Sequence, residues 1–71
     1  MSRYLIIIEA TSTGFSAYSP DLPGCAATGD TRGEVEREMH GAIEFHIDGL
    51  RQAGEEIPEP RSEASYCEVA A

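Results

Sequence analysis

Pro20-Asp21-Leu22-Pro23-Gly24-Cys25, followed at once by Ala26-Ala27-Thr28-Gly29-Asp30-Thr31, decides how this chain folds. Two prolines of fixed φ flank an acid and a leucine, so the backbone bends there and cannot be helical. The small residues after the bend suit a short strand, Cys25 to Thr28, which Gly29 breaks. Asp30 or Thr31, with Glu34 behind it, then marks the start of a helix. A turn, a strand and a capped helix are thus held in one fixed relation.

Upstream, Tyr4-Leu5-Ile6-Ile7-Ile8-Glu9 is a five-residue apolar run closed by an acid. It is too short for a helix and rich in β-branched residues, which predicts a strand. Thr11-Ser12-Thr13-Gly14 supplies a turn, and Phe15 to Ser19 alternates bulky or apolar with small polar residues as a half-buried second strand does. Three strands joined by short turns form an antiparallel meander.

Downstream the period changes to 3.6. Val35, Met39, Ala42, Ile43, His46, Ile47 and Leu50 fall on one arc, which predicts a long amphipathic helix from Thr31 to about Ala53. Glu34, Glu36 and Glu38 near its start and Arg51 near its end suit the helix dipole, and Gly54 is placed to stop it. Glu55 to Ser62, with Pro58 and Pro60, reads as an extended connector. Ala64 to Val69 reads as a last strand, with Ser65, Cys67 and Val69 on one face and Tyr66 and Glu68 on the other. The expected fold is α+β in the order β-β-β-α-β, one domain over 1–71 with the helix packed on one sheet face.

That helix covers only one face. Tyr4, Ile6 and Ile8 point one way and Leu5 and Ile7 the other, so one set faces water unless a second protein surface meets it. A 71-residue core contributes only roughly 3–5 kcal/mol of net stability. Both arguments predict self-association, as a homodimer or higher oligomer. Candidate contacts with a partner or second copy are Tyr4, Ile6 and Ile8 on the first strand, Asp21 and Leu22 at the proline turn, and Phe45 on the helix. Phe45 lies off the apolar arc between Gly41 and Gly49, where small neighbours allow close approach by another segment: the first expectation is that the Pro58-Glu59-Pro60 connector folds back over its ring, and the second is an intermolecular contact.

Thirteen acids against five basic residues give a formal charge of −8. Such a chain repels phosphate backbones and suits a basic partner, although acidity also serves solubility. No apolar run approaches the roughly 20 residues of a membrane span. Cys25 and Cys67 lack metal or redox spacing and follow no signal-peptide pattern, which predicts reduced thiols and a cytoplasmic location. No cofactor is implied.

The ordered set of Tyr4-Leu5-Ile6-Ile7-Ile8-Glu9, Gly14-Phe15-Ser16-Ala17-Tyr18, the proline block, Thr28-Gly29-Asp30-Thr31, Ala42-Ile43-Glu44-Phe45-His46-Ile47 and Gly54-Glu55-Glu56-Ile57-Pro58-Glu59-Pro60 resembles the HicB-like antitoxin domain. The resemblance implies a partial ribonuclease H-like fold without nuclease activity, and a role in masking HicA, a small basic mRNA-cleaving toxin. Many members of that family continue into a DNA-binding domain for which this sequence offers no counterpart. The expectation is therefore a stand-alone domain that does not itself bind nucleic acid.

A ribonuclease H-like fold also invites a search for metal-binding carboxylates. Glu9 ends the first strand, while Glu44 and Asp48 fall on the solvent side of the helix, badly placed to converge with it. His46, within the apolar arc, reads as a satisfied core group, and neither histidine is spaced with a nucleophile. No catalytic, metal or cofactor residue is assigned. The function expected is a protein-binding antitoxin module, and the alternative is an orphan structural, oligomerisation or small-ligand-binding domain.

Overall fold

The computed structural model describes residues 2–71. β1 (Ile7–Ala10), β2 (Phe15–Tyr18) and β3 (Ala26–Gly29) form a three-stranded antiparallel sheet in the order β1-β2-β3, and α1 (Arg32–Gln52) follows. The register pairs Ile7, Tyr18 and Ala26 across the sheet, and Ile8, Ala17 and Ala27 beside them. Side chains alternate across a strand, so this register settles the direction of the two-faced first strand. Tyr4, Ile6 and Ile8 pack with Ala17 and Ala27 against the core beneath α1. Leu5, Ile7 and Tyr18 fall on the face without a helix.

The proline block is two successive β-turns. The Leu22 N–H donates to Ser19 O at 3.2 Å and the Cys25 N–H to Leu22 O at 3.0 Å, which puts Pro20 and Pro23 each at the second turn position. Gly24, at φ +83°, supplies the left-handed residue that a type II turn needs after Pro23. The Ser19 N–H then reaches Cys25 O, so the loop closes on the hairpin, and Leu22 is driven to full burial. Leu22, Val35 and Met39 have no exposed surface and, with Ala17 and Cys25, make the core. Fully burying such a side chain is worth roughly 1.5–3 kcal/mol. The one buried polar side chain among the described residues, Ser19, donates its hydroxyl to Leu5 O at 2.9 Å.

Thr31 is the N-cap of α1, its hydroxyl accepting the Glu34 N–H at 3.1 Å. The helix stops as Gly54 suggests: at φ +70°, its N–H reaches Arg51 O and the Glu55 N–H reaches Leu50 O, the paired bonds of a Schellman motif. At 21 residues α1 is about 31 Å long, against about 13 Å for a four-residue strand. Its C-terminal half therefore overhangs the sheet. Val35 and Met39 are buried, whereas Ile43, His46, Ile47 and Leu50 are only half-buried. His46 is thus less enclosed than a core group.

Three expectations need correction. The first strand begins at Ile7 rather than Tyr4, because Tyr4 to Ile6 run past the end of the β2 register at Tyr18. The last strand, Ala64 to Val69, does not form within this chain: the segment is exposed throughout and pairs with none of the three strands. The connector does not cover Phe45, which is 82% exposed. It is held instead by the Tyr4 hydroxyl, which donates to Pro58 O.

Candidate functional site: a protein-docking surface

Of the residues singled out from the sequence, most are engaged inside this chain. Leu22 is fully buried, and Tyr4, Ile6 and Ile8 are half-buried against the core. Asp21 is a clasp. One carboxylate oxygen accepts the Arg61 N–H at 3.0 Å and the Ser62 N–H at 2.9 Å, and the other accepts the Ser62 hydroxyl at 2.8 Å. These bonds, chiefly the Ser62 and Arg61 amides and aided by the Arg61 charge, hold the carboxyl below its ordinary value. The proline block thus buries Leu22 inward and turns Asp21 outward to fix the connector forty residues later. Nothing in the local sequence marks this long-range bond.

Phe45 is different, because its ring is on the surface of the overhang. It shares an open groove of about 810 Å³ with Tyr4, Ile43 and Ile47, rimmed by Glu44, Asp48, His40 and Arg51. His40 lies 3.4 Å from Glu44, and Asp48 accepts from Gln52 at 3.0 Å. Gly41 and Gly49, one turn to either side of Phe45, have open space where a side chain would stand. A partner's backbone could therefore come close to the ring on both sides. An exposed aromatic ring inside a rim of charged and polar groups is an arrangement that can anchor a protein contact.

The second exposed region is the helix-free sheet face, where Leu5, Ile7 and Tyr18 lie beside a polar row of Glu9, Ser16 and Thr28. Tyr18 is 44% exposed. The remaining acids are Asp30 ahead of the helix, Glu34, Glu36 and Glu38 on its first turns, and Glu55, Glu56, Glu59, Glu63 and Glu68 beyond it, and Arg32 and Glu36 pair at 3.5 Å. Glu9 is exposed at the end of β1, and Glu38, Glu44 and Asp48 are exposed along α1. Among the described residues no three His, Cys, Asp or Glu side chains come together as metal ligands would. Both thiols are free; burial pushes the Cys25 thiol up, while Cys67 is exposed. No helix among the described residues is long and apolar enough to cross a membrane.

Comparisons with known proteins agree with this architecture. An uncharacterized 14.9 kDa protein from the rep-hol intergenic region of Haemophilus phage HP1 is 38% identical over 63 residues, covering 89% of this chain and 47% of the phage protein. The chain thus spans about half of that relative's length. The UPF0150 protein Ta0767 of Thermoplasma acidophilum is 32% identical over 62 residues, covering 86% of this chain and 90% of that protein. Among solved structures, a chain of a HicA3 and HicB3 toxin-antitoxin complex superposes with a TM-score of 0.74 at 33% identity, over 84% of this chain and 70% of that one. The family model for the HicB_like antitoxin of bacterial toxin-antitoxin systems matches residues 4–70. With nearly every described residue inside that match and the meander-plus-helix fold in place, the chain belongs to the HicB-like antitoxin family.

Proposed function

We propose that this chain neutralises a small basic HicA-type RNA-cleaving toxin by covering its active surface, and that Phe45 is the apolar anchor of the contact. The carrying observation is the exposed Phe45 ring between Glu44 and Asp48, on the part of α1 that overhangs the sheet. A surface that binds RNA is positive, and a domain of charge −8 is drawn to it over a screening length of about 8 Å at physiological ionic strength. Charge steers that encounter, and a desolvated aromatic ring gives it residence time. The chain's role is to bind, with no catalytic step of its own and no direct contact with nucleic acid.

The solved relative is a HicA3 and HicB3 complex, which makes a HicA-type protein the first partner to test. Purified toxin should cleave RNA alone and stop cleaving it when this chain is added in stoichiometric amount. A toxin that remains active in excess of this chain ends the reading. The second partner is another copy of the same chain. The small core and the apolar Leu5, Ile7 and Tyr18 on the helix-free face of the sheet support a homodimer as the minimum species, with light scattering as its test.

A further inference from the structure

Residues 63–71 are all exposed and join neither a helix nor the sheet, although Ser65, Cys67 and Val69 alternate with Tyr66 and Glu68 at the period of a strand. They are not a frayed end. Asp21 fixes the backbone at Arg61 and Ser62, and Ser62 to Ala64 line a groove together with Arg3 to Ile6. The segment is therefore an arm launched from a rigid point next to the outer edge of the first strand. It lengthens the molecule: the radius of gyration is 13.9 Å, against roughly 11 Å for a compact chain of this size.

The edge beside that point is exposed as well. The order β1-β2-β3 leaves β1 at the border of the sheet, and Tyr4 to Ile8 bring to it no charge, proline or lysine of the kind that guards such edges. Arg3 and Glu9 bound this run, and the β-branched stretch between them attracts another strand. The opposite border, β3, is made of Ala26, Ala27, Thr28 and Gly29, and Gly29 is pressed against the Val35 backbone. That border offers little side-chain surface for a docked strand.

We propose that residues 63–69 of one copy add as a strand to the outer edge of β1 in a second copy, and that the exchange is reciprocal and closes a two-fold dimer. This deepens the self-association reading above and rests on it, adding the surface that does the joining. Seven extended residues reach about 23 Å, enough to run the roughly 13 Å length of β1. Because each arm starts beside the edge that its counterpart fills, one two-fold axis near Ser62 satisfies both exchanges. Backbone hydrogen bonds supply the affinity, and Tyr66 and Val69, exposed in the single chain, gain cover.

Light scattering with Cys67 alkylation by iodoacetamide, run over a concentration series, tests the arm. The wild-type chain should have twice the 7.7 kDa monomer mass, with Cys67 alkylated several-fold more slowly in the dimer than after dilution. Ser65→Pro/Glu68→Pro removes a ladder hydrogen bond whichever side of the arm faces β1, and lies outside the core. That variant should be monomeric with unchanged helical circular dichroism, and its Cys67 should react rapidly at every concentration. A variant that remains dimeric overturns the arm and leaves self-association standing, whereas a monomeric wild type removes both. Slow alkylation of the wild-type chain at every dilution would place the arm on its own chain and also overturn the exchange.

Discussion

The two ends of α1 sit in different environments. Its first half, with Val35 and Met39 fully buried, is pressed onto β2 and β3 and locked by Leu22 from the proline block. Its second half overhangs, with Phe45 bare and Ile43, Ile47 and Leu50 half-buried. Both halves have the same helical spacing of apolar residues, so periodicity alone does not distinguish a core from a docking surface. The length of the sheet does. Strands of four residues end before a 21-residue helix is covered, and beyond them Phe45 stays exposed while Ile43, Ile47 and Leu50 are covered only in part.

The contrast is broken most severely at Leu22. Leu22→Asp places a carboxylate in a site with no exposed surface, and the cost should exceed the roughly 3–5 kcal/mol that a core of this size provides, leaving the chain unfolded by circular dichroism. Even Leu22→Ala should cost about 2–5 kcal/mol in a denaturant titration. Phe45→Asp, on the overhang, should stay within about 0.5 kcal/mol of the parent. Equal effects at the two positions would erase the distinction.

A smaller effect is expected at Gly29. A β-carbon there would lie 2.7 Å from the Val35 amide nitrogen, so Gly29→Ala should force β3 and α1 apart and lower stability by about 1–3 kcal/mol. Gly41→Ala, where the space is open, should leave stability unchanged or raise it by up to about 1 kcal/mol. The pair compares the locked and the overhanging regions within a single type of substitution.

The Asp21 clasp sharpens the comparison through pH. Its carboxyl is held below the ordinary value by bonds that exist only when the chain is folded. The clasp is therefore fully made above the unfolded value near 3.9 and is lost as pH falls through the lower folded value. The Ser62 amide resonance should shift in that acid window. Asp21→Asn should abolish the shift and loosen the connector at neutral pH while leaving the Leu22 core intact. Thiol chemistry gives the gentlest test: at low protein concentration exposed Cys67 should be alkylated well before buried Cys25.

Most of the fold could be read from the sequence because it is locally encoded. Pro20, Pro23 and Gly24 dictate their turns, Thr31 and Glu34 the helix start, and Gly54 its stop. What the sequence left open depends on contacts distant along the chain. Tyr4-Leu5-Ile6-Ile7-Ile8 is apolar on both sides, so only pairing with β2 decided which set turns inward. Ala64 to Val69 has the alternation of a strand, but alternation does not choose a partner, and the segment pairs with none of the three strands of its own chain. At the site, Phe45 stood out by its angle on the helix. Its exposure depended on the connector, which Asp21 and Tyr4 hold at Pro58, Arg61 and Ser62 without covering the ring. Leu22 stood out equally and proved to be core, because two tight turns push the one apolar residue between the prolines inward.

The central claim is that the overhang of an acidic antitoxin, anchored by Phe45, covers a basic toxin. The most direct measurement is the affinity of the HicA-type toxin for the wild-type chain and for Phe45→Ala across a salt series. The account predicts binding that weakens as salt rises, and a loss of about 2 kcal/mol in Phe45→Ala, roughly thirtyfold in Kd, that persists at every salt concentration. Equal affinity of the two chains, or binding indifferent to salt, would contradict it.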